Sequence, residues 1–305
     1  MRRGAWAAAL ALAFAAAAPA AGAATSSRFC QPEAQLSAEQ QDKLLRLAAV
    51  IKAELDRSGA TVALVARSGL NLQRVGQRYS HAGLSLRDSP ETRWAVRQLY
   101  YACDESRPML FDQGLTAFLM GNDDPRRGFV SLLLLPPAAA ERLERSALDK
   151  ALALALLGGE YSANAHAFSL RYQNCNQWVA ELMAVAWGGL DPAGGQPLRA
   201  AAQQWLREQD YVPTVIELGR GPLRWAAALV PWLNEDDHPP EDRAAGRYRL
   251  SMPASLQAFA LQREPQAERL EFCHTPQQVV WRRNGAPLPE DCTAAAGDTV
   301  VSLAD

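Results

Sequence analysis

Apolar positions recur along this chain with two periods, and the switches between them outline the elements. Leu44, Ala48, Ile51 and Leu55 fall at helical spacing. Ahead of them, Ser37-Ala38-Glu39-Gln40 reads as a capping box, and Gly59 stops the run. Residues 61–66, 78–86, 94–101 and 129–135 predict strands, the last ended by Pro136-Pro137. Residues 138–157 predict a helix bounded by Gly158-Gly159, and residues 175–187 another closed by Gly188-Gly189. Proline and glycine loops over 191–231 enclose two shorter predicted helices, 198–208 and 223–233. Residues 234–246 are acidic, carry Pro239-Pro240, and read as a solvated linker. Short runs at 270–272, 279–281 and 299–303 then predict strands in a small β-rich region, 247–305. No internal repeat is evident. The pattern predicts an α+β fold, with a principal domain over 24–233 and a C-terminal appendage.

The first residues depart from this pattern. Arg2 and Arg3 precede an Ala-rich apolar stretch over 5–18, too short to span a bilayer, and Ala21-Gly22-Ala23 supplies a small-x-small cleavage pattern. Residues 1–23 are therefore expected to be an export signal, and the mature protein to be periplasmic or secreted. With 31 Lys+Arg against 33 Asp+Glu, the chain lacks the basic excess that nucleic-acid binding needs. A composition of 49% hydrophobic and 21% charged residues excludes intrinsic disorder. No transmembrane segment is expected in the mature chain.

Export changes what the cysteines mean, because thiols pair in an oxidising compartment. Cys30, Cys103, Cys175, Cys273 and Cys292 are an odd set, so at least one stays unpaired within the chain. Cys273 and Cys292 bracket a short segment and form a natural local pair. Cys30 and Cys103 can then tie the N-terminus to a strand, leaving Cys175, although the sequence permits other pairings.

Two stretches carry candidate chemistry. In Tyr79-Ser80-His81-Ala82-Gly83-Leu84, strand alternation turns Ala82, Leu84 and Leu86 to the core and presents Tyr79, His81, Gly83 and Ser85 on the other face. Gly83 lets a backbone or a substrate approach His81 closely. In Gln173-Asn174-Cys175-Asn176-Gln177-Trp178, Cys175 opens a helix that Asn174 can cap, where unpaired N–H groups and the dipole favour a thiolate. Against this stands the common fate of a free cysteine, an inert buried thiol. A cysteine nucleophile needs a base, and the base an orienting group. Of the four histidines, His238 lies in the linker and His274 beside a half-cystine. His166, in a loop shortly before Cys175, competes with His81, which has the stiffer platform. Gln98, on the next predicted strand, can accept the second ring N–H of His81. Neither Cys-x-x-Cys nor zinc-ligand spacing occurs, so no cofactor or metal is expected.

The order of these parts, a strand carrying Ser-His-Ala-Gly followed by a helix opening Asn-Cys-Asn-Gln-Trp-Val, resembles circularly permuted papain-like proteins. In the ordinary papain and NlpC-type order the cysteine helix comes first. Blocks at Arg78–Gly83, Trp94–Leu99, Asp112–Leu115, Tyr161–Asn164 and Gln173–Trp178 are similar to an exported bacterial family of unknown function, numbered 2145. The resemblance implies an antiparallel sheet packed on a Cys-bearing helix, with Cys175 as nucleophile, His81 as base and Gln98 in the polar third position. Related proteins often carry histidine there, and glutamine orients an imidazole without stabilising its charge. The backbone N–H groups at the start of the Cys175 helix are the expected oxyanion donors, with Tyr79 or Asn174 as candidate side-chain donors. The activity implied is hydrolysis or acyl transfer at an amide or ester, with cell-wall peptides as the substrate suggested by compartment. The rival expectations are a non-catalytic envelope binding protein on the same scaffold and a thiol–disulfide or metal protein.

Overall fold

The computed structural model describes residues 36–102, 105–121, 124–219, 230 and 232–304. The expected leader, most of the helix expected over 223–233, and both Cys30 and Cys103 lie outside the described residues. The first helix, α1 (Ala38–Ser58), starts at the expected capping box, Ser37 with Gln40, and ends at Gly59, whose φ of 70° suits a residue without Cβ.

The centre of the molecule is an antiparallel sheet. It is built from β1 (Val62–Arg67), β2 (His81–Leu86), β3 (Ala95–Ala102), β4 (Arg107–Gln113), β5 (Gly128–Leu134), β10 (Glu268–His274), β11 (Gln278–Arg283) and β12 (Thr299–Ser302). Their spatial order is β12-β11-β10-β5-β1-β2-β3-β4. The fold is thus α+β. Residues 247–305 do not form the expected appendage. β10 pairs with β5 over the whole length from Glu268↔Leu134 to His274↔Gly128, so the C-terminal strands extend the same sheet. The apolar runs Leu-Glu-Phe-Cys and Val-Val-Trp read as short strands, but only β5, buried on both sides, shows that they need a partner elsewhere in the chain.

Both faces of the sheet are covered. On one, Val62, Leu64, Ala82, Leu84 and Leu99 pack against α3 (Pro137–Leu148) and α5 (Cys175–Gly188). On the other, Ala63, Val65, Val96 and Leu132 pack against α1 and the short α2 (Leu115–Leu119). Central strands therefore read as continuous apolar runs rather than alternating ones. β4 and α2 have no counterpart among the predicted elements.

The helix expected over 138–157 is two helices. Asp149 adopts extended backbone and its carboxylate accepts from the Leu152 N–H, capping α4 (Lys150–Ala155) and breaking the run. Two short strands, β6 (Glu160–Tyr161) and β7 (Tyr172–Gln173), lead into α5, which α6 (Leu198–Glu208) flanks. The acidic 234–246 segment is no solvated linker. It contains α7 (Pro240–Ala245), and buried Asp242 accepts from Arg247 at 2.6 Å and Arg249 at 2.9 Å on β9 (Arg247–Leu250). β9 pairs with β8 (Thr214–Glu217), and α8 (Pro253–Arg263) leads back to the sheet. Cys273 and Cys292 form a disulfide, as expected, and Cys175 is free.

Candidate active site

β2 and β3 run as a ladder only from Leu86↔Ala95 to Leu84↔Arg97. Because Arg87 donates its N–H to Thr61, on the β1 side, alternation turns the N–H of Ala82 towards β3, where the ladder has already ended. The tip of α5 fills that gap. Asn174 caps the helix by accepting the Gln177 N–H at 2.7 Å, and the Asn176 amide donates to the Ser80 carbonyl at 3.2 Å, fastening the helix tip to the start of β2. The Cys175 sulfur consequently lies against the N–H groups of Asn176, Cys175 itself and Ala82, the last belonging to the peptide that joins His81 to Ala82. The order of the two motifs predicts an imidazole facing the sulfur; what meets the sulfur here is the backbone amide that follows His81.

His81 projects from the face of β2 opposite Leu84. Its Nε2 is hydrogen-bonded to Gln98 Oε1. The Gln98 amide nitrogen in turn donates to Gln113 Oε1 at 2.5 Å, which turns the Gln98 oxygen towards the ring. An amide oxygen only accepts, so Nε2 carries the proton and Nδ1 keeps its lone pair. Gly83 makes this pairing possible. A Cβ there would sit 2.6 Å from Val96 Cγ1 and 2.9 Å from the Arg97 carbonyl oxygen, so the close approach that Gly83 permits is that of β3 itself. Tyr100 and Phe118 complete the surroundings of the ring, with centroids at 5.6 and 5.8 Å.

Burial sets the charge state. It pushes the Cys175 thiol up to about 11, against the opposing pull of the three N–H groups and of Arg67. It lowers His81 to about 3, aided by Arg67 and resisted by the Gln98 hydrogen bond. The expectation that the helix N-terminus favours a thiolate is thus outweighed. Near neutral pH the pair rests as thiol and neutral imidazole, because removing a charge from water costs more here than local dipoles return.

The two candidate side-chain oxyanion donors are occupied elsewhere. The Tyr79 hydroxyl donates to the buried Glu271 carboxylate at 2.6 Å, which also accepts from Arg78 and from the Leu288 N–H. Its single proton therefore fastens the segment before β2 to β10. The Asn174 amide is spent on capping and on the Ser251 carbonyl at 3.3 Å. Backbone N–H groups at the α5 tip remain. His166 does not compete for Cys175: its ring lies 5.3 Å from that of His238, whose Nε2 donates to the Asn164 carbonyl. Among the described residues no cluster of His, Cys, Asp and Glu suits a metal ion.

Sequence reasoning missed Arg67, Gln113, Asn176 and the Ala82 amide. Arg67 had a visible signal, since a lone charge closes the apolar run Val-Ala-Leu-Val-Ala. The amide had none, because its availability depends on where a ladder stops.

None of the curated proteins and none of the solved structures matches the chain. The profile of one family, described as an uncharacterized protein conserved in bacteria (DUF2145), matches residues 54–260, a span holding β1 to β9, α5 and all the residues named at this site except Glu271 and Leu288. That span is more than half of the sequence, and the chain belongs to this bacterial family, DUF2145.

Proposed function

We propose that the protein is an exported thiol hydrolase or acyltransferase acting on an amide or ester, with a permuted papain-like arrangement of its parts. The observation that carries this is the meeting of the Cys175 sulfur with the peptide that follows a histidine already oriented by Gln98. In this reading Nδ1 of His81 takes the thiol proton as sulfur attacks the carbonyl carbon. Negative charge moves to the carbonyl oxygen, which the N–H groups at the α5 tip receive. The imidazolium then returns its proton to the departing amine or alcohol, leaving a thioester that water or a second nucleophile opens. A neutral resting pair suits a base that acts only when substrate arrives and displaces water. Cell-wall peptides fit an exported thiol enzyme by analogy of compartment and fold.

The test is acylation of the full mature chain by a nitrophenyl ester, with release of nitrophenolate and the acylated residue identified by mass. The expected result is a burst with the acyl group on Cys175, absent in Cys175→Ser and slowed roughly 10²–10⁴-fold in His81→Gln. An acyl group on other residues, or a rate indifferent to His81, refutes the proposal. One observation favours a second reading, a non-catalytic scaffold: Cys175 is 8% exposed and His81 7%, so substrate has little surface to meet. Absence of any Cys175 acylation selects that reading.

A further inference from the structure

Arg67 closes β1 directly opposite His81, so the two side chains leave the same face of the sheet with their Cβ atoms about 5 Å apart. Arg67 is 3% exposed. Its guanidinium donates to the Gly121 carbonyl and lies over the Phe118 ring at 5.2 Å, the ring that also faces His81. Gly69 and Gly121 close around it; a Cβ at either would collide with the guanidinium. A buried cation is costly to keep, and the contacts that hold this one on the histidine's own face include a carbonyl, an aromatic face and two residues without side chains.

We propose that Arg67 is the resident cation of the site: it occupies the position of positive charge that an imidazolium would otherwise fill, keeps His81 a neutral base, and steadies negative charge on the Cys175 sulfur. Its chemical purpose rests on the acyl-transfer reading; its test does not. Arg67 is a positioning residue in this scheme, since it acts through His81, directly opposite it on β2, and through its charge at Cys175. Its charge is felt at both, opposing protonation of the imidazole and opposing burial at the thiol. Among the described residues, the other titratable side chains placed beside this pair are phenols, Tyr100 from β3 against His81 and Tyr161 from β6 near Cys175, and neither brings a positive charge. Arg97 and Asp112 pair with each other on the opposite face of β3 and β4.

Two titrations of the full mature chain test this, neither requiring turnover: the pH profile of Cys175 alkylation by iodoacetamide, and the His81 ring followed by NMR. In the unaltered protein the His81 midpoint is expected well below its ordinary value. Arg67→Met is expected to raise both midpoints by about one pH unit or more, a tenfold loss of thiolate at a fixed pH below the midpoint. Arg67→Lys should restore most of the shift. Arg67→Gln keeps a donor for the Gly121 carbonyl and should behave as Arg67→Met, separating loss of charge from loss of that hydrogen bond. An ordinary His81 midpoint in the unaltered protein overturns the proposal, as do unmoved midpoints in folded Arg67→Met or Arg67→Gln, or a lysine variant no closer to the original than methionine. A chain showing these shifts but never acylated loses the hydrolase reading and keeps the cation.

Discussion

Cys175 and Glu181 lie on the same helix, six positions or about 9 Å apart along its axis, and both are buried. Around Glu181 the carboxylate accepts from Arg199 through Nε at 2.9 Å and Nη2 at 3.1 Å, and from Gln173, Gln177 and Gln203. Arg199 spends its remaining donors on the carbonyls of Ser169, Leu170 and Tyr172. Burial raises the Glu181 carboxyl, and Arg199, Gln203 and Gln173 pull it back. At the helix tip the opposite solution prevails: thiol and imidazole are kept neutral, and Nδ1 of His81 retains an acceptor site. A network that saturates the Glu181 carboxylate, while leaving Gln177 Oε1 without a partner, fixes α5 and α6 against the loop before α5; the unsaturated thiol lies about one and two-thirds turns away. The contrast separates a polar cluster closed by charge pairing from a site kept neutral by burial.

The largest effect should come from breaking the saturated side. Glu181→Ala leaves the Arg199 guanidinium buried without its carboxylate, and a loss of about 3–5 kcal/mol is expected. Glu181→Gln keeps the size and part of the hydrogen bonding, and should lose less. Cys175→Ala, which removes a neutral thiol, should cost far less than Glu181→Ala by chemical denaturation. Equal losses at the two positions would erase the distinction drawn here.

Next comes pH. The folded His81 pKa, about 3, lies below the unfolded value near 6.5, so its contribution to stability is fully present above 6.5 and is lost as pH falls towards 3. The folded Cys175 pKa, about 11, lies above the unfolded value, so its contribution is lost as pH rises from about 9 towards 11. The site is therefore most stabilising between about pH 6.5 and 9. His81→Gln should flatten the acid limb by on the order of 2 kcal/mol between pH 6.5 and 5, read from denaturant midpoints at each pH. His274, lowered to about 4 by burial, adds its own acid dependence, so the measurement is the difference between variant and parent. A variant with the parent's acid limb would show that His81 is not held neutral by burial.

Much of this was legible in the sequence, and the division has a physical basis. The Ser37 capping box, the strand with His81, the cap at Asn174 and the helix from Cys175 are set by local chemistry, a few residues at a time. The His81–Gln98 hydrogen bond was legible too, because it joins adjacent strands of a predictable meander. What escaped depends on distant partners. The site of β10 beside β5 joins segments more than a hundred residues apart, and Tyr79 reads as a free hydroxyl until Glu271 is placed beside it. The acidic 234–246 segment reads as solvated for the same reason, since Asp242 and His238 find their partners only in the fold. Charge state is the least local property of all. A helix N-terminus favours a thiolate, but how much water reaches Cys175 is decided by everything packed around it.

Smaller effects sharpen the unsaturated side. Gly83→Ala puts a methyl group against Val96 and the Arg97 carbonyl, forcing β3 away from β2 and drawing Gln98 from His81. About 1–3 kcal/mol of stability should be lost. In a variant that still folds, Cys175 acylation should fall more than in Gln98→Ala, because both the glutamine and the Ala82 amide are displaced. Unchanged acylation would mean that the spacing of β2 and β3 does not govern the pair.

The smallest expected effect concerns Tyr79, which the two halves of this comparison assign oppositely. If its hydroxyl belonged with Cys175 and His81 as an oxyanion donor, Tyr79→Phe would slow acylation by the roughly two to three orders of magnitude that loss of such a donor costs. Its hydroxyl instead donates to Glu271, a carboxylate that keeps Arg78 and the Leu288 N–H when the tyrosine oxygen is gone. Tyr79→Phe should therefore lower stability by about 1 kcal/mol, the net value of one hydrogen bond whose acceptor stays satisfied. The acylation rate of Cys175 should stay within a factor of two. A stability loss without a rate loss places Tyr79 with Glu181 among the residues that hold the sheet and helices together; a rate loss without a stability loss would return it to the thiol.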